Sequence, residues 1–211
     1  MSGLSVKKRH RSRPPGAVHL HDAAKLARWE DNAYRLLDAS RHGPSIVRTC
    51  FVVLRFLHVN GWYGACHAST AVLHVLLHAQ GIPSVPCMGE ARIAHHLFDH
   101  SWLEIGGTPF DMAITLPLPQ GTKPVPPVVC GLDMETGGPT AVEYGIRSGF
   151  PADPPTVLIQ SVPFVEYIDG FPGVAHGLWG IVAGLAGPCG LAPLRVPPTR
   201  AAHADTRWTL R

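Results

Sequence analysis

Apolar residues recur every three or four positions in three stretches of the first half of the chain. Over residues 21–39, Leu26, Trp29, Ala33 and Leu36/Leu37 share one stripe, with charges opposite, which predicts an amphipathic helix. Over residues 45–60, Ile46, Val47, Phe51, Leu54 and Leu57 lean towards a second helix, although Cys50-Phe-Val-Val-Leu54 by itself would also suit a strand. The third helix opens at Cys66 and carries Ala68, Val72, Val75, Leu76 and Ala79 on its apolar face; Gly81 and Pro83 mark its end. The period then falls to two. Residues 85–93 and 100–105 read as strands joined by a connection at 94–99, and Gly106-Gly107 turns the chain into a returning strand at 108–114.

The second half is less regular. Residues 116–129 are too rich in proline for helix or central strand, and suit either a lid over a cleft or a stiff connection. Short strands are expected at 128–132 and 157–161, with a helical or irregular piece at 139–148 and a short helix at 163–169. The Gly-dense run 174–187 contains His176 and stops at Pro188. That is too short for a membrane span and predicts a packed helix. The whole pattern is α+β, with helices in front and the Cys66 helix packed on an antiparallel sheet.

Cys66 carries the candidate chemistry. A cysteine in the first turn of a helix meets unpaired N–H groups and the positive end of the helix dipole, which favour a thiolate nucleophile. Such a nucleophile needs a base, and the base an orienting group. His100 and Asp111 stand on the two strands around the Gly106-Gly107 turn, where antiparallel pairing can bring them together. His95 and His96 are rival bases, and Asp99 a rival orienting group.

The order Cys66, then Gly81-Ile82-Pro83, then His100-Ser-Trp102-Leu-Glu104, then Asp111 resembles the transglutaminase-like core of the papain-like cysteine enzyme superfamily. The likeness is nearest to the small bacterial branch that contains lasso-peptide leader peptidases. It spans about residues 60–114; His67-Ala-Ser after the cysteine departs from the leader peptidases, and the half after Asp111 is divergent. The resemblance implies a Cys66–His100–Asp111 triad that hydrolyses a peptide or amide bond through a thioester. It leaves open transglutaminase-type acyl transfer on the same triad, or an inactive binding protein that kept the fold. Asn60, six residues before Cys66, matches the position of an oxyanion amide in papain-like enzymes, and Asn60-Gly61 is equally a turn dipeptide. Trp62, His67 and Trp102 are candidate substrate contacts. The implied partner is a peptide or protein substrate, with no cofactor.

Composition narrows the rest. A hydrophobic content of 45% over 211 residues is enough for a sizeable core. The net charge of +3, concentrated at the chain ends, argues against a nucleic-acid partner. Five separated cysteines with no CxxC, and no secretory signal, favour reduced thiols and the cytoplasm. His67, His74 and His78 share a helix stripe, yet HExxH is absent and no cysteine pair closes a site, so a His-rich polar face is expected and no metal. These boundaries divide the chain into a disordered basic tail at 1–17, one transglutaminase-like domain at 18–194 and a frayed tail at 195–211.

Overall fold

Helix-period patterning in the first half produces three successive helices, α1 (Leu20–Leu37), α2 (Gly43–Asn60) and α3 (Cys66–Ala79). The computed structural model describes residues 20–119 and 121–211, the first three of them by backbone alone; the expected basic tail at 1–17 lies outside these residues. The strand-like run within α2 is helical because α2 lies between α1 and α3 and buries Cys50, Phe51, Val53 and Leu54 on more than one side. Gly61 closes α2 in the left-handed region, at φ 60°, and its N–H reaches back to the His58 and Leu57 carbonyls. Gly43 permits the tight α1–α2 approach: a Cβ there would stand 2.0 Å from the Leu37 carbonyl oxygen.

α3 is the most enclosed element. Every residue from Ala68 to Leu77 is buried, because α2, α6 (Leu178–Ala186) and the sheet each cover part of its surface. Full burial of Val72, Leu73, Val75, Leu76 and Leu77 stabilises the fold by roughly 1.5–3 kcal/mol for each side chain. Even its polar members are tied down: Ser69 Oγ donates to the Cys66 carbonyl, and His74 Nδ1 bonds Ser84 Oγ.

The sheet is built on a long hairpin, β1 (Val85–Ile93) and β2 (His96–Ile105). The expected 94–99 connection is therefore only a two-residue turn with Ala94 at positive φ, and His100 sits inside β2 rather than at its start. Gly106 and Gly107, both at positive φ, return the chain as β3 (Thr108–Phe110). After a 3-10 turn (Ala113–Thr115) comes a small hairpin, β4 (Val128–Val129) and β5 (Leu132–Asp133).

Residues 139–148 are not helical or irregular, as expected, but contain β6 (Val142–Ile146), which pairs antiparallel with the end of β1. The sheet order is β3-β2-β1-β6. Residues 157–161 also differ from expectation, lying in α4 (Pro154–Gln160) rather than a strand. Asp153 caps that helix by accepting from Thr156 N, and prolines fill its first turn. The expected helices at 163–169 and 174–187 are α5 (Phe164–Asp169) and α6. The stretch at 195–211, expected to fray, instead carries α7 (Val196–Ala202) and β7 (Thr209–Leu210), the latter parallel to the first half of β1. Gly89 makes that docking possible, since a Cβ would come within 2.7 Å of the Arg211 carbonyl oxygen. No helix among the described residues is long and apolar enough to cross a membrane.

The Gly43 contact gives a direct test of the helical layer. Gly43→Ala forces a methyl against the α1 backbone and is expected to destabilise by about 2 kcal/mol, lowering Tm by about 4–8 °C. Thermal melting followed by circular dichroism reads the shift, and an unchanged Tm would overturn the tight-approach account.

Candidate active site

Cys66 is the first residue of α3, and the chain ahead of it explains its position. Gly64, at φ 67°, donates its N–H to the Leu116 carbonyl at 2.8 Å and so fixes the turn into the helix. Ala65 is the N-cap and has no side chain that could cap the first-turn N–H groups. The dipole's positive end therefore meets Cys66 without competition from a capping residue. Cys66 retains 9% of its surface, at the wall of a cavity of about 660 Å³.

His100 lines the same cavity. The last β2–β3 pair is Leu103–Phe110, so Asp111 follows one step on and reaches His100 diagonally. His100 Nε2 and Asp111 Oδ2 are 2.6 Å apart. A carboxylate only accepts, so Nε2 carries the hydrogen and Nδ1 is the ring nitrogen left free of Asp111, while Cys66 lies close enough to add to the electrostatics of His100. Both partners are buried, at 5% and 2% exposure. Burial favours neutral imidazole, but the charge and hydrogen bond of Asp111, followed by Cys66, outweigh it and hold the His100 pKa well above the usual range.

Asp111 is itself fully engaged. Its Oδ1 accepts from Ile114 N at 3.1 Å, and its Oδ2 also accepts from the Tyr144 hydroxyl at 3.0 Å. Its backbone exchanges both hydrogen bonds with Val128, locking the end of β3 to β4. Tyr144 comes from β6 and packs its ring on Trp102, 4.9 Å between centroids. Burial first, then Asp111, pushes the Tyr144 phenol well up, so it stays a donor.

His67, next along α3, is held between Ser101 Oγ, 2.6 Å from Nδ1, and Thr156 Oγ1, 3.4 Å from Nε2. Burial and the neighbouring His100 lower its pKa to about 4 against a smaller opposing pull from Asp153, leaving a neutral ring at neutral pH. His67 borders the Cys66 cavity and also a second one, of about 710 Å³, on the side of α4 and α5. The proline-rich stretch contributes Pro117, Leu118, Gly121 and Thr122 to the wall of the first cavity.

The structure thus brings Cys66, His100 and Asp111 together, with His67 beside them. Asn60 is not part of the group: it ends α2, is exposed, and its Nδ2 donates to the Phe56 carbonyl at 2.8 Å. Trp62 lines the second cavity. Trp102 does not line either cavity; it is 1% exposed and packs under Tyr144, so it is a core residue. Asp99 accepts from the Asp153 N–H and makes no bond to His100, and His95 is exposed on the hairpin turn. His74 and His78 meet His203 from the C-terminal segment, with ring centroids 5.2 and 4.5 Å from it. Burial lowers the His74 and His203 pKa values to about 3 and about 4. Among the described residues no group of three His, Cys, Asp or Glu side chains is arranged to hold a metal ion.

Sequence reasoning missed the bond of Tyr144 to Asp111, and missed Ser101, Thr156 and Tyr167 altogether. No local signal marks them, because each reaches the site through a long-range pairing.

A profile of the transglutaminase-like superfamily matches residues 4–117, from ahead of α1 to just past the Asp111 turn. No curated protein and no solved structure matches the chain. The matched region holds Cys66, His100 and Asp111, and its length is more than half the chain. The chain belongs to the transglutaminase-like superfamily, a membership that points to cysteine-based hydrolase or acyl-transfer chemistry.

Proposed function

We propose that this protein hydrolyses a peptide or amide bond through a thioester on Cys66, with His100 as acid–base and Asp111 as its orienting partner. The observation that carries this reading is the convergence of a cysteine at an uncapped helix start and a buried His–Asp pair on one cavity. His100 holds its proton beside the Cys66 thiolate, which attacks the carbonyl carbon. The first-turn N–H groups of α3 face the developing oxyanion. His100 then passes the proton to the leaving amine, and water, deprotonated by His100, releases the acid and regenerates the thiol. Neutral His67 stands where it can donate to or accept from the bound backbone. A peptide or protein substrate fits the two adjoining cavities and the likeness to leader peptidases. Five free cysteines suit a reducing compartment, the cytoplasm.

Three measurements test the reading. Iodoacetamide alkylation, read site by site by mass spectrometry, should modify Cys66 at pH 6 about tenfold faster than a free cysteine in solution, and His100→Ala should remove that advantage. An inert Cys66, or one indifferent to His100, refutes the enzyme. Because Asp111 raises the His100 pKa, His100 stays protonated beside Cys66 across neutral pH in the wild type. The advantage should therefore hold from pH 6 upward and fade only as the free thiol itself ionises near its pKa of about 8.5. In Asp111→Asn the fade should come at lower pH; an unmoved profile would separate Asp111 from the mechanism. Tyr144→Phe should slow Cys66 alkylation roughly three- to tenfold, by loosening one hydrogen bond worth about 1 kcal/mol on Asp111, and a wild-type rate would make Tyr144 mere packing.

A further inference from the structure

The second cavity lies beside the start of α3, walled by the turn at 61–65, α4 and α5, and is lined by none of Cys66, His100 and Asp111. Its wall is aromatic. Trp62 packs on Phe171 with ring centroids 5.6 Å apart and a 30° tilt, and Tyr167 meets Phe171 edge-on at 6.2 Å. The rings are held by one another and so form a fixed surface. Tyr63 and Leu158, 56% and 65% exposed, form the open side.

The cavity adjoins that of Cys66. It shares Gly64, His67 and Pro155 with the Cys66 cavity, and Tyr167 lies within electrostatic range of Cys66. A chain whose reacting carbonyl rests at Cys66 would therefore direct a neighbouring side chain into it.

Its charge is one-sided. Among the described residues of its wall, Glu166 is the charged side chain, exposed at the rim; His67 is kept neutral, and there is no Lys or Arg. The Glu166 carboxylate accepts none of the hydrogen bonds that hold its neighbours. The nearby Arg200 feels its charge but is already paired with Asp169. The carboxylates of the Cys66 cavity, Asp99 and Asp153, are by contrast engaged with backbone N–H groups. Aromatic faces attract a cation through their quadrupoles, and an alkyl stem packs on the same faces. A carboxylate at the mouth then completes a site for a long side chain with a positive end, in a protein that is itself net positive at +3.

We propose that this cavity is a specificity subsite for a lysine or arginine side chain of the peptide substrate, with its stem on Trp62 and Phe171 and its charged end at Glu166. The proposal rests on the peptide-bond reading given above, and deepens it by naming the residue the enzyme selects beside the scissile bond.

The test uses the full chain with Cys66→Ala, which does no chemistry, and follows the Trp62 indole signal by NMR during titration. The probes are the N-acetyl N-methylamides of lysine, norleucine and glutamate, with butylamine as a free amine. The lysine derivative is expected to bind about five- to tenfold tighter than norleucine, and glutamate weakest. Glu166→Gln on the same background should bring lysine down to the norleucine level. Norleucine binding as tightly as lysine, a lysine preference that survives Glu166→Gln, or Trp62 signals that do not move for any probe would each overturn the subsite. Butylamine, which keeps the stem and the charged end, is expected to bind within a few-fold of the lysine derivative, and its failure to bind would overturn the assignment to the side chain. An inert Cys66 in the alkylation test would remove the enzyme reading; a failure here, with Cys66 reactive, removes the subsite alone.

Discussion

Enclosing a helix on several sides while leaving its first residue at a cavity wall is the constraint on which this structure depends. α3 is buried from Ala68 to Leu77, so its axis cannot tilt or slide without opening the core. Cys66, at the cavity end of that rod, inherits its rigidity. The Gly64–Leu116 hydrogen bond then ties the approach to the helix to the segment that follows Asp111, so the surroundings of Cys66 and Asp111 are connected through the backbone.

The His100–Asp111 pair shows why such rigidity is needed. Two charges taken out of water are tolerated only when each polar atom is satisfied, and removal of one partner typically costs on the order of 3–5 kcal/mol. Here both carboxylate oxygens of Asp111 are occupied, by Ile114 N, the Tyr144 hydroxyl and His100 itself. His100 and Cys66 both line the first cavity. A pair placed this way cannot relax toward solvent, and the charge on Asp111 is spent on raising the His100 pKa.

The half of the chain beyond the family match completes what the matched half begins. β6 delivers Tyr144 to Asp111, α4 delivers Thr156 to His67, and α5 delivers Tyr167 and Glu166 to the second cavity. The C-terminal segment closes the exposed edge of β1 through β7 and packs Trp208 against Phe164 and Tyr167. Cys66, His100 and Asp111 thus lie in the matched region, while α4 and α5 of the other half complete the wall of the second cavity. A shared core can in this way serve different substrates through different second halves.

The sequence by itself determined the local features: three helices from apolar spacing, the turn at Gly106-Gly107, and Cys66 at a helix start. It also placed His100 and Asp111 on adjoining strands, because a glycine pair fixes which strands must be neighbours. Residues 157–161 misled because a short apolar run has no period of its own; the Asp153 cap and two prolines made it helical. Residues 139–148 and the tail at 195–211 became strand and helix only by pairing with or packing on a distant β1 and α3, contacts with no local trace. Asn60 and Trp102 fitted the spacing expected of site residues, but spacing does not say which way a side chain points. Only the tertiary structure turned one back onto its own helix and the other into the core, and brought Tyr144 to Asp111, because those outcomes depend on how the sheet curves and on what packs against it.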